Sequence, residues 1–281
     1  MNWLFKLNNF FRIWGVTFRA MARVKIWLPL ILLLLLQVIL LFALIRFYQP
    51  PFSLVLVPLL KTLVGEKALH YPGFYAALPF AYNLLNLAVV GFLSILINAM
   101  AILLLSFHYW GRQVNLKEAM AGARDRFGHL FLLWLVNTAA VALVLILPGF
   151  ILSGWMGGSP RRILFVQLAS FGLGVLVAAL FAYCYNAILL SGESWLKSIR
   201  TNWGIFRRNF FSTCFFIAIP GFISWLYGVL ISNSPLIMSK FRPDIIPLLL
   251  FLGSVINLFV IFWILGSLAR LFLYEVKEVQ L

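Results

Sequence analysis

The side chains best suited to acid–base or ion chemistry stand outside the long apolar runs of this sequence. This holds for all seven acidic residues, which are Glu66, Glu118, Asp125, Glu193, Asp244, Glu275 and Glu278. A carboxylate inside an apolar run is the usual device of carriers that couple transport to protons or sodium ions. The pattern therefore argues against an ion-coupled antiporter or a proton pump, and it leaves open a carrier driven by another protein.

Histidine and cysteine are scarce and isolated. The three histidines and two cysteines have no partners at the spacing of a metal site or a catalytic pair. The sequence has no phosphate-binding Walker loop, no G-x-S-x-G elbow and no H-E-x-x-H pair. We therefore expect a protein that is not an enzyme and that uses no metal and no cofactor. The alternative is an enzyme that acts within the membrane, which would need catalytic polar groups from different apolar runs to lie close together.

Uncharged polar residues within the apolar runs are the remaining candidates for a site. They include Gln37, Asn86, Asn98, Asn137, Gln167, Asn186 and Asn257. Such residues can line a polar path or a ligand site, or they can form hydrogen bonds between helices that fix their packing. The sequence leaves both interpretations open.

A stripe of small residues runs along the fourth apolar segment at a spacing of four. Its members are Ser170, Gly174, Ala178, Ala182 and Asn186. Small residues at this spacing let two helix backbones approach closely. The stripe predicts a packing surface, either within the protein or with a partner, and gives no catalytic signal.

These residues must be positioned by helices that cross a membrane. The chain has 281 residues and is 64% hydrophobic and 10% charged, whereas soluble domains are about half apolar and a quarter charged. The sequence predicts an all-α fold, a polytopic membrane helical bundle that forms a single integral membrane domain over residues 1–281. The six transmembrane helices are predicted at about 26–46, 80–107, 130–153, 163–190, 210–232 and 246–269, since about 20 apolar residues span a bilayer.

The longest predicted loop, 47–79, connects the first two spans. It contains an apolar stretch from Phe52 to Leu60, which Lys61 follows. Because this stretch is too short to cross a bilayer, we expect an interfacial or re-entrant piece.

The distribution of positive charge predicts the orientation of the spans. Of the 22 Lys and Arg residues, 15 lie on the side of the two termini and 7 lie on the other side. The positive-inside rule then places both termini in the cytoplasm. The formal net charge of +15 is spread over the loops, which fits anionic lipid headgroups better than a nucleic acid.

Amphipathic segments precede the first, third and fifth predicted spans. They cover residues 8–25, 115–128 and 194–208, and the first belongs to a cytoplasmic helix predicted over 1–25. Helices of this kind lie in the plane of the headgroup layer. The chain is either three copies of one helix-plus-hairpin unit or a set of loops that came to look alike. The basic residues expected to contact lipid headgroups or a partner are Arg12, Arg19, Arg23, Lys117, Arg124, Lys197, Arg200 and Arg208.

Two families resemble parts of the chain. Gly111-Arg112-Gln113-Val114, Leu116 to Met120, Leu147-Pro148-Gly149 and Ser194 to Arg200 are similar to six-span bacterial inner-membrane proteins, over roughly 85–275. That group includes YciC-like proteins and the membrane domain of some glycerophosphodiester phosphodiesterases. The resemblance implies a bacterial inner-membrane location. It does not imply phosphodiesterase activity, because the catalytic domain of those enzymes is absent from this sequence.

The size and topology also resemble the six-span permease subunits of ABC exporters. Residues 8–25 match the in-plane helix of those subunits, and 115–128 match the cytoplasmic helix that touches their ATPase. The further basic helix at 194–208 departs from that pattern.

We expect a non-enzymatic subunit or scaffold of a membrane complex, or a bundle that interacts with anionic lipids. Its partners would be membrane lipids together with another protein or a second copy of the chain. The alternative is the permease subunit of an ABC-type transporter for a lipid-like or apolar substrate, with an ATPase as partner.

Overall fold

The chain is almost entirely helical. A computed structural model describes residues 3–152 and 159–277, and within these residues there is no β-strand. A 3-10 turn lies at Glu66–Leu69 and a π-helical turn at Asn86–Val90. The helices are α1 (Trp3–Met21), α2 (Val24–Ile45), α3 (Ser53–Val64), α4 (Gly73–Leu85), α5 (Gly91–Tyr109), α6 (Leu116–Asp125), α7 (Phe127–Ile151), α8 (Pro160–Leu180), α9 (Cys184–Ser191), α10 (Trp195–Arg208), α11 (Phe210–Ser232), α12 (Ser234–Lys240) and α13 (Ile245–Lys277).

Six helical stretches in the described part of the chain are long and apolar enough to cross a membrane. They are Val24–Ile45, Gly73–Tyr109, Phe127–Ile151, Arg161–Ser191, Phe210–Ser232 and Ile245–Val276. In lipid every backbone N–H and C=O group needs a partner within the protein, and a helix supplies these partners along its own length. The predicted all-α polytopic bundle is therefore confirmed. Position 153 of the third predicted span and positions 1 and 2 of the N-terminal helix lie outside the described residues.

Two spans are longer than the sequence predicted. The second begins at Gly73 rather than near position 80, and it contains the π-helical turn. The sixth continues to Lys277 rather than ending near position 269. An apolar run in the sequence marks only the part of a helix that lies in lipid. The helix itself can continue into more polar sequence, because its backbone hydrogen bonds do not depend on the apolar run. The predicted loop 47–79 folds into α3, the 3-10 turn and the start of α4.

The fourth span is interrupted between α8 and α9, and a side chain from α10 completes its hydrogen bonding. The Tyr183 N–H donates to Asn202 Oδ1 at 2.8 Å. The Asn202 Nδ2 donates to the Leu180 carbonyl at 2.5 Å. Asn202 is 1% exposed. Its amide therefore supplies the donor and the acceptor that the interrupted helix lacks.

The chain divides into two compact units. The first unit comprises the described residues within Met1–Trp27, Asn98–Phe222 and Phe262–Leu281. Its core joins α1, the α8–α9 region, α10, α11 and the end of α13. The core includes Ile13, Ala179, Tyr183, Ile205, Phe216 and Phe272. These contacts hold the loop helices α1 and α10 against the ends of the spans.

The second unit comprises Leu28–Ile97 and Ile223–Ile261. Its core is formed by α2, α3, α4, α11 and α13 around Leu44, Phe47, Leu60, Phe74, Leu78 and Ile246. Tyr48 Oη donates to the Leu69 carbonyl at 3.2 Å, which ties the end of α2 to the 3-10 turn. An exposed ion pair, Lys61 Nζ to Glu66 Oε1 at 2.7 Å, closes the end of α3.

The three predicted amphipathic segments form helices, α1, α6 and α10, and in α1 and α10 some aromatic residues are exposed while polar residues are buried. In α1 the fully buried residues are Ile13, Thr17 and Ala20, while Phe11 and Phe18 are exposed. In α10 the buried face includes Ser198 and Asn202, and Trp203 is exposed. The hydrogen bonds of Asn202 to the interrupted span explain why polar residues of α10 point inward.

Candidate functional site

A cavity of about 470 Å³ lies within the second unit. Residues of α2, α4, α11, α12 and α13 line it, and four of these helices belong to membrane-spanning stretches. Its polar lining residues are Gln37, Tyr82, Asn83, Ser224, Tyr227, Ser232, Ser234, Ser254 and Asn257. None of the lining residues carries a charge. The cavity has the volume of a small-molecule site.

Most polar groups of the cavity wall are already hydrogen bonded to the protein. Tyr82 Oη and Ser254 Oγ lie 2.8 Å apart. Ser224 Oγ donates to Asn257 Oδ1 at 3.4 Å, and Tyr227 Oη donates to the Leu249 carbonyl. Ser254 Oγ also lies 3.1 Å from the Leu250 carbonyl. These bonds hold the side chains in place, which keeps the cavity wall fixed.

Gln37 differs from the other buried polar residues of the wall. It is 7% exposed and lines the cavity, and no described residue forms a hydrogen bond with its side chain. It is also the one polar residue between Leu28 and Ile45 of α2. The structure thus brings two predicted polar residues, Gln37 and Asn257, to the same cavity.

The other predicted intramembrane polar residues lie apart from this cavity. Asn86 is in the π-helical turn, Asn98 is on α5 and Asn137 is on α7, and each has a buried Oδ1 without a hydrogen-bond partner among the described residues. The Asn137 side chain interacts with Tyr185 of α9. For these three residues, both readings, a polar site and a packing contact between helices, therefore stay predictions.

A basic concave surface lies in the first unit, where α1 meets α2 and α5 ends. Its volume is about 830 Å³, and its lining includes Arg23, Lys25, His108, Arg112 and Gln113 but no acidic residue. The Arg112 guanidinium lies over the Trp110 ring at 5.4 Å from its centroid. Gly111 allows the sharp exit from α5 because its φ of 69° suits glycine. We call this region the basic pocket.

The residues predicted to contact lipid headgroups or a partner are all exposed. Arg23 is part of the basic pocket. Two others form ion pairs, Arg208 with Glu275 at 3.6 Å and Arg124 with Asp125 at 4.0 Å. The remaining ones are Arg12, Arg19, Lys117, Lys197 and Arg200, on α1, α6 and α10.

The stripe of small residues does not follow one continuous helix. Ser170, Gly174 and Ala178 are on α8, Ala182 lies in the interruption, and Asn186 is on α9. Ser170, Ala182 and Asn186 are buried. A Cβ at Gly174 would meet no described atom within 4 Å. The described residues therefore place no helix backbone tightly against Gly174, and a partner surface there stays a prediction.

Two hydrogen-bonded groups in the first unit escaped the sequence analysis. One is Asn202 with the interrupted fourth span. The other joins α1, α5 and α13, where Tyr109 Oη donates to the Gly266 carbonyl at 3.2 Å and lies 3.5 Å from Thr17 Oγ1. A Cβ at Gly266 would lie 2.7 Å from Thr17. The glycine in an apolar helix is the only sequence signal that could have indicated this contact.

The described residues contain no group of three or more His, Cys, Asp and Glu side chains that could hold a metal ion. No protein-family model, no curated protein and no solved structure matches this chain. The chemistry of the chain's own residues is therefore the basis for a functional proposal.

Proposed function

We propose that this chain is a non-enzymatic protein of the bacterial inner membrane that binds anionic lipids and acts as a subunit or scaffold of a membrane complex. In this proposal both termini are cytoplasmic. The basic pocket then lies at the cytoplasmic ends of the first two spans, at the depth of the lipid headgroups.

The composition of the basic pocket carries the proposal. Arg23, Lys25 and Arg112 contribute three positive charges, and no lining residue is acidic. Lys and Arg residues at a membrane surface each attract anionic lipid by about 1 kcal/mol. Tryptophan favours the interface between lipid and water, so the stacking of Arg112 on Trp110 is suited to a guanidinium that meets a phosphate at that depth.

The loop helices α1 and α10 support the same proposal. Both expose aromatic residues, Phe11 and Phe18 on α1 and Trp203 on α10. Both also expose basic residues, such as Arg12 and Arg200. A helix with this composition binds a membrane surface through its apolar side chains and through attraction to anionic lipids.

The third and fourth spans support the role as a subunit or scaffold. Only 12% and 17% of their most apolar stretches are buried, compared with 39% and 44% for the first and second spans. A span that the protein itself covers so little faces lipid or another protein. The small residues of α8 are a suitable contact surface for a partner or a second copy of the chain.

The first experiment compares the affinity for anionic lipid before and after removal of the pocket charges. The variant carries Arg23→Gln, Lys25→Gln and Arg112→Gln, and phosphatidylglycerol is titrated against the detergent-solubilised protein by native mass spectrometry. At about 1 kcal/mol for each charge, we expect the affinity to fall by about a hundredfold at low salt. Added salt reduces the difference, because it screens exposed charges.

A charge-matched control separates a pocket from general attraction. Lys67→Gln, Lys240→Gln and Arg242→Gln remove three exposed positive charges that lie elsewhere in the chain. We expect these substitutions to leave the affinity almost unchanged. Equal losses in the two triple variants would contradict a specific pocket, and no loss in either would contradict lipid binding through these residues.

A second candidate is the permease subunit of an ABC-type transporter, in which α6 contacts an ATPase. The observation that favours it is Met120, an apolar residue of this loop helix that is 51% exposed. Affinity purification in mild detergent, with mass spectrometry of the proteins recovered, discriminates the two proposals. A stoichiometric ATPase whose activity this chain stimulates would favour the permease, and a Met120→Glu substitution should then weaken both recovery and stimulation.

A further inference from the structure

The cavity of the second unit combines a lining from several membrane-spanning helices with a polar wall. Its lining comes from α2, α4, α11, α12 and α13, so no single helix forms it. The wall also contains apolar and aromatic side chains, including Phe80, Tyr82 and Leu250. Ligand sites in proteins have this composition, in which apolar walls surround a few polar groups that fix the orientation of the ligand.

The absence of charge in the lining restricts the chemistry of a ligand. No Lys, Arg, His, Asp or Glu lies among the lining residues of this cavity. An ion in such surroundings would lose its hydration without gaining a counter-charge. The cavity is therefore suited to an uncharged molecule.

Gln37 offers a ligand a hydrogen-bonding amide in this cavity. The residue is 7% exposed and lines the cavity, and no described residue forms a hydrogen bond with its side chain. The rest of α2 from Leu28 to Ile45 is apolar. Polar groups in such positions normally have a hydrogen-bond partner, and the cavity is the place where a partner of Gln37 would lie.

We propose that this cavity binds an uncharged molecule that carries several hydroxyl groups, with the amide of Gln37 as its principal hydrogen-bonding partner. A hydroxyl group both donates and accepts, so it can pair with either end of an amide and with the serine and asparagine side chains of the wall. The aromatic residues of the wall pack against the C–H faces of such a molecule. The hydroxyl-bearing group is either a soluble polyol or sugar, or the sugar headgroup of a glycolipid.

The experiment has two arms that distinguish these sources. In the first, glycerol, inositol and glucose are tested by saturation-transfer NMR on the detergent-solubilised full chain. In the second, glucosyl-diacylglycerol and phosphatidylglycerol are titrated by native mass spectrometry. We expect binding that depends on Gln37 in one arm, and the arm in which it occurs identifies the source. Tighter binding of the charged lipid in a manner that depends on Gln37 would overturn the assignment to an uncharged ligand.

The variant Gln37→Leu tests the assigned partner. It removes the amide and keeps the size of the side chain, and we expect the affinity to fall at least tenfold. The matched control is Asn98→Leu, because Asn98 has a buried amide oxygen without a partner among the described residues and lies outside the cavity. Equal affinities of Gln37→Leu and the unmodified chain would overturn the proposal. So would the absence of Gln37-dependent binding for every probe, which would mean that the cavity holds water only.

A second variant keeps the test valid if Gln37→Leu fails to fold. Gly228 lines the cavity, and a Cβ there would meet nothing within 4 Å. Gly228→Leu should fill part of the cavity and abolish binding. Gly172→Leu adds the same side chain at another open position, in α8, and should leave binding unchanged. Binding that survives Gly228→Leu would place the ligand elsewhere and overturn the proposal.

Discussion

Among the buried amides of the helices, Asn202 in the first unit and Gln37 in the second differ in what they bind. Asn202 accepts from the Tyr183 N–H and donates to the Leu180 carbonyl. Gln37 binds no described residue and faces a cavity. The two residues have the same chemistry in almost equal burial. The comparison shows that the partners, rather than the polarity of the buried residue, separate a structural role from a candidate binding role.

Removal of the satisfied amide should have the largest effect on stability. Asn202→Ala leaves a backbone donor and a backbone acceptor unpaired, each at about 1–3 kcal/mol. We expect the free energy of unfolding to fall by about 2–5 kcal/mol, measured by SDS titration in mixed micelles with circular dichroism. The exposed neighbour Arg200→Ala is the control and should change little. A loss under about 1 kcal/mol would show that other groups satisfy the interrupted span.

The substitution Asn202→Asp should destabilise the protein at least as much as Asn202→Ala. A carboxylate can accept from the Tyr183 N–H, but it cannot donate to the Leu180 carbonyl, and its charge would be buried beside that oxygen. The same SDS titration measures the free energy of unfolding. A stability between those of the unmodified chain and Asn202→Ala would mean that the site admits water or a protonated carboxyl.

Removal of a hydrogen-bonded hydroxyl from the cavity wall should have a smaller effect on the free energy of unfolding. Tyr82→Phe removes the hydrogen bond to Ser254 but keeps the ring. Hydrogen bonds between helices in membranes contribute about 0.6–1.7 kcal/mol, so we expect a loss in that range. Tyr71→Phe, at an exposed tyrosine, should cause no loss. An equal loss in both variants would mean that the Tyr82–Ser254 bond adds nothing specific.

Removal of the Gln37 amide should not lower the free energy of unfolding, in contrast to removal of the Asn202 amide. In the ligand-free protein Gln37→Leu removes a polar group that has no hydrogen-bond partner among the described residues, so it should leave the stability unchanged or raise it by about 1 kcal/mol. The same SDS titration compares it with Asn202→Leu, which should be strongly destabilising. A loss of about 2 kcal/mol or more on Gln37→Leu would show that Gln37 is structural after all, and the contrast between the two amides would fail.

The smallest effect should come from the exposed ion pair of the second unit. The hydrogen bond and charge of Lys61 lower the pKa of Glu66, and the same contact with Glu66 raises the pKa of Lys61. Stability from the glutamate is thus present above its ordinary pKa and lost as the pH falls through its lowered value. Stability from the lysine is present below its ordinary pKa and lost as the pH rises through its raised value. Both contributions are small because solvent screens the pair.

Titration of the Glu66 carboxyl by NMR checks this pair. In Lys61→Met the carboxyl pKa should move up towards that of an isolated glutamate. An unchanged titration would mean that the contact does not persist in solution.

The membrane-spanning helices were predictable from the sequence because lipid imposes a strong constraint on them. A span such as α2 needs a long apolar run, and that run can be read without knowledge of any contact. The three loop helices were predictable for a similar reason, since their charged residues have to reach solvent. The faces they bury were not, because the inward position of Asn202 depends on an interruption elsewhere in the chain.

The cavity was predictable only in part. Gln37 and Asn257 stood out as polar residues in apolar runs. Their convergence, and the separate positions of Asn98 and Asn137, depend on how four or more helices pack, which no pattern along one helix contains. Tyr82 and Ser254 carry no signal at all in the sequence, because tyrosine and serine are ordinary residues of membrane helices.

The interrupted fourth span has a consequence for the order in which the protein is made. Leu180 and its partner Asn202 are 22 residues apart, and a chain is synthesised from its N-terminus. The interruption between α8 and α9 therefore leaves the ribosome before the side chain that completes it. Until α10 emerges, water or lipid headgroups have to hydrate the open backbone groups. A nascent chain arrested when Phe181 but not Asn202 has left the ribosome should accordingly expose the region around Phe181 to labelling by water-soluble reagents, and a chain arrested after the whole of α10 has left should protect it.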